Sequence, residues 1–184
     1  MSAEIIVRHC APTLAGLKTG SLFGYRYDDE KALTKAVSDN NRMLNQKGVY
    51  FVILKAENGR ALIYVYRKKA LEQKLNNIRI RNFLKPYGYL GFEIASCLDV
   101  LRNNLKNSEF PHEIGLFLGY PIDDVIAFIN NKGENCECCG CWKAYTNVTD
   151  AEKTFALYKK CTRIYCSRAS EGIQLSKLTV KDLC

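Results

Sequence analysis

The chain has 184 residues, 47% of them hydrophobic, which suits one domain with a core that needs neither disulfides nor metal to fold. Its 27 basic and 19 acidic residues leave a net charge of +8, a balance compatible with nucleic acid or an acidic partner. No charged segment followed by a long apolar run opens the sequence, and Val49 to Leu54, the longest apolar stretch, is far too short to span a bilayer; no membrane contact and a cytoplasmic address are expected.

Glu4 to His9 reads as a short strand. Pro12, at a first-turn position, opens one or two helical turns to Leu17. Gly16, Gly20 and Gly24 mark a turn-rich connection. Asp28 and Asp29 offer a cap for a helix that carries Leu33, Val37 and Leu44 on one face and closes at Gly48. Val49 to Ala56 and Ala61 to Arg67 are rich in Val, Ile and Tyr and flank Asn58-Gly59, the signature of a tight β-hairpin over about 49–67.

A helix over Lys68 to Asn76 leads to a turn at Pro86-Tyr87-Gly88. Apolar residues recur at helical spacing from Gly91 to Lys106. Pro111 and Pro121 each open a short helix, ending at Gly119 and Asn131. A cysteine loop follows, and a last helix runs from Asp150 to Ser167. The pattern predicts an α+β domain over 1–172, helices covering one face of a small sheet, with 173–184 as a loose tail.

Nine cysteines in a reducing compartment point to metal, redox or buried thiols rather than a disulfide framework. Four of them lie in Cys136-Glu137-Cys138-Cys139-Gly140-Cys141, which holds two overlapping C-x-x-C pairs. One such pair supplies two ligands to zinc, and a second pair elsewhere completes the tetrahedron. Cys161 and Cys166 are the available partners. On an unbroken helix they sit about 140° apart, so they share one ion only if the helix breaks. The cluster has the thiolate chemistry of an iron–sulfur site without its usual spacing.

Cys10 stands before the expected helix start, where the positive end of a helix favours thiolate. His112 is the distant histidine for a Cys–His nucleophilic pair, with Glu113 or Asp123 to orient it. This local strand–Cys–helix pattern is similar to the nucleophile segment of papain-like and bacteriocin-processing cysteine peptidases. A metal or haem iron held by Cys10, His9 and His112 is a hybrid of the two ideas. Basic residues gather from Arg67 to Lys85, a stretch for nucleic acid or an acidic protein. Glu113 to Gly133 has the outline of a helix-turn-helix, but Asp123 and Asp124 at the second helix's start would repel phosphates. Gly16 to Ser21 lacks the glycine and lysine order of a phosphate loop. Trp142 and Tyr145 read as anchors for the cysteine loop.

His9 to Thr19, Phe110 to Pro121 running on to Ile129, Trp142-Lys143-Ala144-Tyr145 and Lys159-Lys160-Cys161-Thr162 together resemble an uncharacterised bacterial family common in anaerobes, domain-of-unknown-function 3793. The resemblance spans nearly the whole chain and brings no activity or cofactor. It implies that Cys10, His112, Cys138, Cys161 and Cys166 belong to the family pattern, whereas Cys136, Cys139 and Cys141 depart from it. Three readings stand. A zinc, iron or redox protein would use Cys138, Cys161 and Cys166 with Cys136 or Cys141. A cysteine-dependent hydrolase or transferase would use Cys10 and His112. A binding module would use the basic stretch.

Overall fold

The computed structural model describes residues 1–107 and 109–182. Its centre is the expected hairpin, β2 (Val49–Glu57) and β3 (Arg60–Arg67), closed by Asn58 and Gly59 at φ of 50° and 70°. Those positive angles are what Asn-Gly supplies at low cost. A third antiparallel strand, β1 (Gly20–Arg26), pairs with the far edge of β3 and gives the order β1-β3-β2. The glycine-rich stretch expected as a turn is therefore a strand. Gly20 is needed there because a Cβ would lie 2.5 Å from the Tyr64 ring and 2.9 Å from the Phe117 carbonyl oxygen.

Helices cover both faces of the sheet, not one. Successive β3 side chains point to opposite sides. Ala61, Ile63 and Val65 enter one apolar cluster, while Tyr64 and Tyr66 enter the other. The first cluster is closed by α1 (Ala3–Leu14), α2 (Glu30–Leu44), α8 (Val148–Ser170) and α9 (Leu175–Leu178). The second is closed by α3 (Lys68–Leu75), α4 (Ile78–Leu84), α5 (Ile94–Asn104), α6 (Ile114–Phe117) and α7 (Ile122–Asn130). A minimal hairpin, β4 (Cys138–Cys139) and β5 (Lys143–Ala144), lies between α7 and α8.

The expected N-terminal strand and the helix opening at Pro12 are one helix, α1. Ile5, Ile6 and Val7 favour strand locally. Ser2 nevertheless caps the helix by accepting from the Ile5 N–H, and burial of Ile6, Val7, Cys10 and Leu14 decides the outcome. Pro12 falls in the last turn, where it forgoes an N–H bond to the preceding turn, and its ring is buried against the core.

The segment after Gly172, expected as loose, is tied down. Leu175 and Leu178 are buried in the first cluster, and the Val180 N–H donates to the Leu14 carbonyl at 3.0 Å. The last two residues of that expected tail lie outside the described residues. Among the described residues, no helix is long and apolar enough to cross a membrane.

Candidate functional site

The α1–α8 pairing leaves a groove of about 860 Å³ on the outer surface. From α1 come Arg8, His9 and Pro12; from the following loop, Lys18; from α8, Phe155, Tyr158, Lys159, Lys160 and Arg163; from the β4–β5 turn, Cys141. The charged side chains of its wall are all basic, and no aspartate or glutamate among the described residues lines it. A cleft with one sign of charge concentrates its field on an incoming counter-ion.

Lys18 is the unusual member. Its ammonium sits between two rings, 5.2 Å from the centre of Tyr120 and 6.0 Å from that of Tyr158. Both tyrosines are fixed by their hydroxyls: Tyr120 donates to the Cys141 carbonyl at 2.8 Å and Tyr158 to the Leu17 carbonyl at 3.1 Å. No ion pair among the described residues involves Lys18. Burial lowers its pKa, and the neighbouring thiols of Cys141 and Cys10 act in the opposite sense. The same enclosure raises Tyr120 and Tyr158 to about 12. His9 stacks on Phe23 at 5.0 Å, and burial followed by the Arg8 charge lowers its pKa, so near neutral pH the imidazole is uncharged and the groove's charge comes from Lys and Arg.

The β4–β5 turn is held from below by Asp124. Its buried carboxylate accepts from Trp142 Nε1 at 2.7 Å and, at 2.9 Å each, from the Tyr145 N–H, the Thr146 N–H and the Thr146 hydroxyl. Trp142 stacks on Tyr120 and meets Phe155 edge-on. The expectation that Trp142 anchors the cysteine loop is met by these contacts. They also separate the groove from a smaller apolar cavity of about 190 Å³ that includes His112, Phe128 and Trp142 in its wall.

The expected cysteine ligands do not converge. Among the described residues, no three His, Cys, Asp or Glu side chains are arranged to hold a metal ion. Cys136 and Cys139 approach to 2.9 Å between sulfurs. Cys138 is half-buried in β4, and Cys141 faces the groove. Cys161 and Cys166 lie on unbroken α8 and pack into the first apolar cluster, where burial raises the Cys161 thiol.

Cys10 and His112 are likewise not brought together. Cys10 is within α1, fully buried, its thiol pKa raised strongly by burial and only partly offset by Lys18 and a hydrogen bond with Ser21. It is not at a helix N-terminus, so the dipole argument for a thiolate lapses. His112 stands on the other side of the sheet, its ring 5.0 Å from Phe128.

The basic stretch from Arg67 to Lys85 is largely occupied with holding the fold. Arg67 is buried and bonds Thr13 and Val180 carbonyls and Asp182; Lys74 donates to the Gly119 carbonyl; Arg79 pairs with Asp123. Gly115 close against Val125 makes the helix-turn-helix outline of α6 and α7 a packed helical hairpin, and the Arg79–Asp123 pair ties α7 to α4.

Lys18 lies in Gly16 to Ser21, a stretch with no binding motif of its own in the sequence. The available signal was that His9 to Thr19 and Lys159 to Thr162, two of the stretches that carry the family resemblance, both contribute to the groove. Searches of curated proteins and of solved structures find no match. A family model described as "Protein of unknown function (DUF3793)" matches residues 6–179, and the chain belongs to that family.

Proposed function

We propose that the protein binds a phosphorylated small molecule of about nucleotide size in the α1–α8 groove. The observation that carries this reading is Lys18, an enclosed cation without an ion-pair partner among the described residues, below a rim formed by Arg8, Lys159, Lys160 and Arg163. Enclosing a charge away from water costs free energy unless something pairs it, and an anion at this point removes the cost. The groove volume of about 860 Å³ falls within the usual range for small-molecule sites, roughly 300–1,000 Å³. Arginine and lysine match phosphate oxygens, while Phe155 and Tyr158 offer ring surface to a planar group. A merely solvated face of α8 accounts for Lys159, Lys160 and Arg163. It does not account for Lys18, which comes from the loop behind α1.

The test is titration calorimetry of the wild-type chain and Lys18→Gln with ATP and with inorganic pyrophosphate. Saturable wild-type binding should weaken about 10- to 100-fold in the variant, the loss expected when one charge-assisted hydrogen bond is removed. Equal affinity in the two proteins, or no saturable binding of either probe, sinks the reading. Tighter binding of a single-stranded oligonucleotide, falling steeply with salt, would put a nucleic acid in place of the small molecule.

A further inference from the structure

We infer that Cys136 and Cys139 form a thiol–disulfide exchange site whose oxidant is a small-molecule disulfide. Of the two overlapping C-x-x-C pairs, only this one has its sulfurs in contact, at 2.9 Å. The platform beneath them is well fixed. Asn135 turns the chain into the pair at φ of 56°, and the Glu137 N–H donates to the Ala144 carbonyl at 3.0 Å. The Gly140 N–H closes the turn on the Trp142 carbonyl, also at 3.0 Å. A Cβ on Gly140 would lie 2.2 Å from the Phe155 ring, so the turn is seated directly on α8.

A second observation points to the same sulfurs. The Tyr145 hydroxyl is shut off from water and has no hydrogen-bond partner among the described residues. Its electrostatic neighbours are Cys136, Cys139 and Asp124. A buried donor without an acceptor is costly and calls for an explanation. A Cys139 thiolate beside it would supply the acceptor; on Cys136 the Lys143 ammonium only partly offsets the raising effect of the hydrogen bond with Cys139.

The two thiols have different roles. Cys139 is exposed, whereas Cys136 is less so and its pKa is raised, first by its hydrogen bond with Cys139. Cys136 therefore keeps its proton while Cys139 attacks. The Cys139 thiolate attacks one sulfur of R–S–S–R, forms a mixed disulfide and expels one RS⁻. Cys136 then passes its proton to that RS⁻, which departs as RSH, and attacks the Cys139 sulfur. The Cys136–Cys139 bond forms, the mixed disulfide breaks, and the second RS⁻ leaves. Two thiols are oxidised by two electrons and one disulfide is reduced to two thiols.

The experiment equilibrates fully reduced protein with graded ratios of reduced to oxidised glutathione, blocks the remaining thiols and maps the products by mass spectrometry. Wild type should lose two hydrogens across Cys136 and Cys139 with no lasting glutathione adduct there. Cys136→Ser should hold a glutathione adduct on Cys139, and Cys139→Ser should form neither product at this site. Tyr145→Phe should slow oxidation several-fold while its circular dichroism stays that of wild type. A disulfide formed between other cysteines, or Cys136→Ser and Cys139→Ser oxidising like wild type, overturns the proposal. Both serine variants alter a surface turn, and unchanged circular dichroism separates loss of chemistry from loss of fold.

Discussion

Arg67 Nη1 lies 2.6 Å from Asp182 Oδ1, joining the last residue of β3 to the C-terminal segment in a site where the arginine is 3% exposed. The same guanidinium donates to the carbonyls of Thr13 at 2.6 Å and Val180 at 2.8 Å. One side chain thus fastens α1, the sheet and the chain's end. Asp182→Ala leaves a buried donor unpaired and should cost about 1.5–3 kcal/mol in urea unfolding. Arg67→Met should cost more, because it also removes the donor to the Thr13, Leu14 and Val180 carbonyls.

Gly20→Ala places a methyl against the Tyr64 ring and the Phe117 carbonyl oxygen, the acceptor of the 2.6 Å bond from the Tyr64 hydroxyl. Both neighbours belong to packed core, so neither yields cheaply. A loss of about 1–3 kcal/mol is expected, read as a lower denaturant midpoint.

Asp124→Ala removes the acceptor shared by Trp142, Tyr145 and Thr146. The expected loss is about 3 kcal/mol or more, since several donors go unpaired together. Trp142 is the only tryptophan in the chain, so its emission reports the site directly and should shift to the red.

Lys18→Met should raise the melting temperature while weakening anion binding. Burial holds the lysine pKa below its unfolded value, so between the two values the unfolded chain carries more protons. Stability then rises with pH across that window, and the charged lysine is a burden below it. The variant's stability should lose this rise. Wild-type affinity for pyrophosphate should fall at alkaline pH, and start falling earlier than for an ordinary lysine.

Alkylation of the native protein should leave Cys10 and Cys161 unmodified while Cys139 reacts. The first two are buried and their thiols raised, whereas Cys139 is open to solvent. Rapid native labelling of Cys10 would restore a nucleophilic role for it.

The hairpin was legible because Asn58-Gly59 encodes its turn locally, and Asp29 marked the start of α2 by the same kind of local chemistry, accepting from the Lys31 and Ala32 N–H groups. What failed depends on contacts distant in sequence. Gly20 looked like a turn residue because its need for space comes from Tyr64 and Phe117. Ile5 to Val7 looked like a strand because the burial that makes them helical is supplied by the sheet and α8. The charge of Arg67 looked available because its partner lies at the far end of the chain. Lys18 had no local mark at all; its setting between Tyr120 and Tyr158 exists only once three separate segments meet.

β3 is the middle strand of its sheet and contributes side chains to both apolar clusters. Each cluster therefore lacks a wall until the other has formed. The two halves have no route to melting separately: heat or denaturant should produce a single transition with coincident probes. The amides of β3 should exchange with solvent only through complete unfolding, and fragments cut on either side of it should not fold alone.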